Sequence, residues 1–232
     1  DYNGAFDGFI LEMALDSQPP MYATYIGGGG EDRGYGIAAG ASGEVYAAGR
    51  TNSPGFPTSP YAVQANLGGG TCDFEACPDA YFLVIGPGGS SLRYSTYLGG
   101  SGWDSARGID LNTGGSAILT GEARSADFPL SGNARDTALS GGRDAFVSRI
   151  SVLGLDLTYS SYLGGGNWDD GLAVRANPLN QVFLGGRTLS PDFPTTPSAY
   201  SGTLAGDYDA YGFIEDLPIE NWIFLPLMRR GS

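Results

Sequence analysis

The chain has 232 residues, among them 39 Gly and 14 Pro, and carries a formal net charge of −13 with 12 basic residues, all Arg, and no His. Glycine stands far above its usual share of roughly 7%, yet an aromatic content of 12% excludes a disordered chain, and clustered glycines exclude a collagen helix. So acidic a surface repels nucleic acid and anionic lipid, and without His there is no His-activated nucleophile, His general base or His-ligated zinc.

The chain opens at Asp1 with neither an initiator Met nor a signal-peptide pattern, which reads as a processed or truncated start. Asp7-Gly-Phe9-Ile, followed fifteen residues after the Asp by Tyr22-Ala-Thr-Tyr25-Ile-Gly-Gly, reads as two short strands. A glycine-rich crossing, Gly27-Gly-Gly-Gly-Glu-Asp32, leads into a further strand predicted to begin at Gly36. A tight turn joins it to Val45-Tyr-Ala-Ala-Gly, and Phe56-Pro57 follows.

This order then repeats. The leading Asp returns as Asp79, Asp144 and Asp209, at spacings of 72, 65 and 65 residues. Tyr-x-x-Tyr-(Ile/Leu)-Gly-Gly returns from Tyr94 and Tyr159, and Phe-Pro returns at Phe128-Pro129 and Phe193-Pro194. We name the four predicted strands of one unit A (after the glycine crossing), B, C (from the leading Asp) and D (Tyr-x-x-Tyr). No stretch shows sustained helical periodicity between caps, so the chain is predicted to be all-β. None reaches the ~18 apolar residues of a membrane-spanning helix.

The unit with the 72-residue spacing carries seven extra residues and both cysteines, Cys72 and Cys77. Two cysteines are too few for a Cys₄ zinc site. In an extracellular setting they would pair and pin the inserted loop. The last D strand is predicted in the tail. Fifteen residues after Asp209 comes Phe224, and Leu227 and Met228 then take the places of Tyr97 and Leu98. Pro226 confines such a strand to an edge. The rival reading of residues 223–230 is an apolar-plus-basic sorting tail.

Four short antiparallel strands per unit is the pattern of a propeller blade. The run Tyr-Ser-Thr-Tyr-Leu-Gly-Gly-Ser-Gly, then Gly-Ile, Thr-Gly, Asp-Phe-Pro and Gly-Gly-Arg-Asp-Ala-Phe-Val resembles the SBBP-type bacterial β-propeller repeat, over residues 7–217. The resemblance implies a secreted or surface-exposed bacterial protein and brings no shared catalytic residues. Residues 1–30 form a C–D half-blade, 31–98 a blade with the Cys-pinned insertion, 99–163 a blade, and 164–232 a final blade whose tail is the outer strand. Three and a half blades leave an unmatched C–D pair with an exposed edge. Either upstream sequence or another copy of the chain completes it. In the second case the chain is a non-enzymatic assembly module, filament-forming where the contact does not close on itself, whose contacts fall on Phe9, Tyr22, Tyr25, Ile223, Phe224, Leu225, Leu227 and Met228.

Other residues carry alternative chemistries. Asp32, Asp104 and Asp169 close the glycine crossings, with Asp170 alongside, and are calcium candidates; the competing reading is structural, the Gly-Gly pairs taking positive φ where the chain leaves one blade for the next and the Asp bonding its own turn. Asp73, Glu75 and Asp207 are further acidic loop residues. The recurring Asp7, Asp79, Asp144 and Asp209 read as turn caps, since a glycosidase pair would break the repeat rather than follow it. Trp103 and Trp168 share one loop position and are candidates for stacking on a sugar, with burial between blades as the alternative. Thr58-Ser-Pro60 and Thr195-Thr-Pro-Ser198 resemble O-glycosylation contexts. A propeller glycosidase is disfavoured because the Ser-x-Asp-x-Gly-x-x-Trp box is absent.

Overall fold

A computed structural model describes residues 6–15, 19–73, 75–151, 156–179, 181–206, 208–216 and 222–224. The described chain is all-β with antiparallel sheets and a single 3₁₀ turn at Pro87–Gly89. The strands are β1 Gly8–Glu12, β2 Tyr22–Ile26, β3 Asp32–Ala39, β4 Val45–Thr51, β5 Thr71–Cys72, β6 Glu75–Ala76, β7 Asp79–Ile85 and β8 Leu92–Leu98. They continue with β9 Asp104–Leu111, β10 Ala117–Ala123, β11 Asp144–Ile150, β12 Leu157–Leu163, β13 Asp169–Ala176, β14 Gln181–Thr188, β15 Asp209–Asp216 and β16 Trp222–Phe224.

Three four-stranded meanders result, β3-β4-β7-β8, β9-β10-β11-β12 and β13-β14-β15-β16, preceded by the isolated pair β1-β2. Within each sheet the A–B and C–D connections are short turns, which favour antiparallel hairpins, while a longer loop joins each B strand to its C strand. The A–B turns are closed by Gly43 and Gly115 at positive φ (89° and 78°), a backbone region open to glycine.

Successive sheets stack through their faces. One apolar cluster joins Ile10 and Ile26 to Tyr81 and Tyr97; a second joins Tyr46 and Phe82 to Ile109 and Phe146; a third joins Ile118 and Val147 to Val174 and Tyr211. Phe56 is wedged against Tyr81 and Tyr97, and Phe128 against Phe146 and Tyr162, so the Phe-Pro motif plugs its own sheet. In the two following Tyr-x-x-Tyr segments the second Tyr locks that plug: Tyr97 and Tyr162 donate to the Ser53 and Ser125 carbonyls.

Two expectations need correction. The A strands begin at Asp32, Asp104 and Asp169, before the predicted starts. The amide of each donates to the carbonyl just ahead of the preceding C strand (Phe6, Pro78 and Arg143), which carries the strand across to the neighbouring sheet. A register shift beside Gly34, Gly108 and Gly171 breaks the alternation that marks a strand in sequence. The crossing glycines, moreover, are not at positive φ. Gly27 and Gly164 are needed for space, since a Cβ on either would strike two carboxylates.

The tail strand β16 is the outermost strand of its sheet. Trp222 stands opposite Glu215, the same step of the ladder as Leu92 opposite Ile85 and Leu157 opposite Ile150. The two earlier sheets then shift register, and β16 does not, so Phe224 faces Phe213 and not Ile214. Leu225, Leu227, Met228 and Asp207 lie outside the described residues.

Candidate functional site

Two kinds of feature repeat along the stack, and one breaks the repetition. The first is a carboxylate junction between sheets. Asp32, Asp104 and Asp169 are fully buried. Each takes the amide of the glycine four residues earlier on Oδ2 (Gly28 2.7 Å, Gly100 2.8 Å, Gly165 2.8 Å) together with the hydroxyl of Ser53, Ser125 or Ser190. The C-strand carboxylates cap their own approach loops. Asp144 accepts from Ser140 N (2.9 Å) and Asp209 from Ala205 N (2.6 Å), both four residues upstream. Asp79 accepts from Gly68 N (2.7 Å), eleven residues upstream. The seven-residue difference is the insertion, which forms the β5–β6 hairpin closed by the Cys72–Cys77 disulfide.

The two carboxylates of a junction approach one another across a glycine. A Cβ on Gly164 would lie 2.8 Å from both Asp144 Oδ1 and Asp169 Oδ2, and one on Gly27 would lie 2.6 Å from Asp7 Oδ1 and 2.9 Å from Asp32 Oδ2. Among the described residues, Oδ1 of Asp79, Asp144 and Asp169 meets no hydrogen-bond donor. Burial, reinforced by the facing carboxylate, pushes Asp79 up to about 8 and Asp144 up to about 7; burial alone pushes Asp104 up to about 6. These groups are built into the scaffold, and no group of three or more His, Cys, Asp or Glu among the described residues is arranged to hold a metal. Asp170 is engaged by Arg143 (2.9 Å) and Arg187 (2.5 Å).

The second feature was invisible in the repeat pattern: an arginine-rich ladder along one end of the sheets. Glu122, buried, meets Arg107 (2.8 Å), Arg124 (3.4 Å) and Arg143 (2.9 Å), and Arg143 continues to Asp170. Burial pushes the Glu122 carboxyl upward, but the three guanidinium groups outweigh it and hold the group below its ordinary range. The aligned positions carry Arg50, Glu122 and Arg187, so the charge alternates between units and self-comparison discards it. The two candidate sugar-stacking rings belong to this ladder. Trp103 packs against Arg50 (4.2 Å to the ring centroid) and Arg124 (5.5 Å), and walls a groove of about 300 Å³ with Glu31, Asn52 and the disulfide hairpin. Trp168, 50% exposed, has Arg143 over its ring at 4.9 Å. Glu75 takes a hydrogen bond from Asn52, and Asp73 lines the same groove.

The feature that breaks the repetition is β1. In each full sheet the C strand has a B strand on one side and a D strand on the other; β1 pairs with β2 alone. Its side chains register the difference. Phe9 is 73% exposed, whereas its counterparts Tyr81, Phe146 and Tyr211 are at most 5% exposed. Tyr25 is 59% exposed against 1% or less for Tyr97 and Tyr162, because no Phe-Pro plug covers it. Ile37 on β3 is 61% exposed, while the equivalent Ile109 and Val174 are buried beneath the preceding sheet. Between β1 and β3 runs a groove of about 550 Å³ lined by Phe6, Phe9, Ile10, Tyr35, Ile37 and Tyr81. Of the residues expected at an assembly contact, Phe9 and Tyr25 lie on this open element, and Tyr22, half-buried, faces Gly89. The backbone of Ile223 and Phe224 lies on the last sheet's outer edge. No protein-family model and no curated protein sequence matches the chain.

Proposed function

We propose that the chain is a non-enzymatic, extracellular structural module of the SBBP-type propeller class, three blades and a C–D half-blade, that assembles with further polypeptide by strand addition at the open edge of β1. The supporting observation is the contrast at equivalent positions: Phe9, Tyr25 and Ile37 stand in solvent, whereas their described counterparts in the following units are buried. Completing the half-blade buries these three side chains and supplies partners for one edge of backbone donors and acceptors. Because the face being completed differs from the face that completes it, the contact is heterologous and extends into a filament or closes into a ring. The Cys72–Cys77 disulfide accords with an oxidising, extracellular setting. The repeated carboxylates among the described residues are engaged in holding the scaffold.

Negative-stain microscopy with light scattering at neutral pH tests the reading. Oligomers or filaments are expected, and a stable 24.1 kDa monomer at all concentrations would overturn it. A second reading, glycan binding on the Trp-bearing loops, is favoured by the groove beside Trp103, where an indole, Arg50 and Glu31 converge. It requires binding on a glycan array that is lost on Trp103→Ala.

A further inference from the structure

The sequence holds three Phe-Pro plugs, at Phe56, Phe128 and Phe193, and three Tyr-x-x-Tyr segments whose second tyrosines are Tyr25, Tyr97 and Tyr162. Two plug–tyrosine pairs form within the chain. Phe56 packs on Tyr97, with ring centroids 5.8 Å apart, and Phe128 on Tyr162 at 6.0 Å. Each phenol donates to the carbonyl of the serine three residues before its Phe, Ser53 or Ser125. All four rings are buried. One tyrosine in the first element and one plug in the last sheet are left over.

Tyr25 is arranged to receive a plug. It stands opposite Phe9 as Tyr97 stands opposite Tyr81 and Tyr162 opposite Phe146. The Thr24 hydroxyl donates to the Tyr25 carbonyl, as Thr96 and Ser161 do at Tyr97 and Tyr162. Yet Tyr25 is 59% exposed. Phe193 is arranged as a plug. Its amide donates to the Ser190 carbonyl at 3.1 Å, as Phe56 does to Ser53 (3.1 Å) and Phe128 to Ser125 (3.2 Å), and its ring packs on Tyr211 at 4.5 Å. Beside it lies a pocket of about 90 Å³ lined by Ser190, Phe193 and Tyr211, the counterparts of the three groups that Tyr97 meets, with Pro194 and Leu204. The Tyr211 hydroxyl is committed to the Asp170 carbonyl at 3.0 Å. No tyrosine follows Tyr211 in the sequence, and the strand count puts Leu227, which has no hydroxyl, at the place of Tyr97.

We propose, resting on the assembly reading, that Tyr25 of one copy enters the Phe193 pocket of a second copy, its ring against Phe193 and its hydroxyl donating to the Ser190 carbonyl. The same set of groups receives a phenol twice within the chain. The ring buries apolar area, and the hydroxyl gives the serine carbonyl the second donor that Ser53 and Ser125 have. A second copy is the occupant because it carries the one motif tyrosine without a plug. The contact is head-to-tail, since each copy offers a tyrosine in its first element and a plug in its last sheet.

Sedimentation velocity over a concentration series tests the pairing with the native chain, Tyr25→Ala, Phe193→Leu and an equimolar mixture of the two variants. Tyr25→Ala changes an exposed side chain, and circular dichroism checks that both variants are folded. If Phe193→Leu does not fold, Leu204→Trp, which fills the pocket from its half-buried rim, takes its place. The native chain is expected to associate, and each variant alone to associate at least about tenfold more weakly. The mixture is expected to form a dimer that does not grow, joining Tyr25 of the Phe193→Leu chain to the intact pocket of the Tyr25→Ala chain. Native-like association of Tyr25→Ala or of the pocket variant, or a mixture that stays monomeric, overturns the pairing and leaves strand addition standing. A native chain that is monomeric throughout overturns both.

Discussion

At the level of single residues, the repeated aspartates act as structural joints whose protonation matters. Asp144 has no donor on Oδ1 and faces Asp169 across Gly164, so its folded pKa rises to about 7 from the ordinary carboxylate value of 3.8. The folded state then binds the proton more tightly than the unfolded chain does. The stability this contributes is complete below about pH 4 and is lost as pH rises through about 7. Thermal stability is accordingly expected to fall between pH 5 and pH 8. In Asp144→Asn a neutral amide stands where the protonated carboxyl would, and the decline in Tm over that interval flattens; scanning calorimetry at several pH values measures it. The sequence identified these aspartates as folding residues because they recur in every unit. It assigned the crossing glycines to positive φ, which was incorrect. A Cβ is excluded there by carboxylates brought from two different sheets, a clash that no local sequence window contains.

At the level of the strands, register and edges carry the argument. The tail strand was located by counting from Asp209, and β16 lies in the expected stretch as the outermost strand. Its one-residue offset at Phe224 was not legible, since it depends on whether a bulge forms in the partner pair. The seven-residue insertion was legible as a length difference, and the distance from the capping amide to Asp79 accounts for it. The β5–β6 hairpin stands outside the four-stranded sheets, so its disulfide constrains a short loop, worth roughly 2 kcal/mol in the chain-entropy model. Joint replacement Cys72→Ser and Cys77→Ser is expected to lower Tm by about 4–8 °C, on the scale of roughly 2–4 °C per kcal/mol for a chain of this size. A collapse of the whole transition, read by circular dichroism, would contradict the hairpin's peripheral place.

For the molecule as a whole, the open edge of β1 is the feature from which the proposed assembly follows. Association that favours the folded state raises apparent stability with concentration. Tm is therefore expected to climb with protein concentration for the native chain and to stay constant for Ile37→Asp, in which a charge occupies the uncovered apolar face. A concentration-independent Tm for both chains would argue against assembly through this face. What the amino-acid sequence determined by itself is the all-β class, the unit length and strand order, the inserted loop and the unmatched half-unit. These follow from turn residues, period-two segments and recurring motifs, all of them local. The tertiary structure decided which copies of a repeated residue are buried, which carboxylates face each other, and that Arg143 joins Glu122 of its own unit to Asp170 of the next. Those properties depend on what the preceding sheet places against a strand, and identical motifs acquire different environments only after the sheets have stacked.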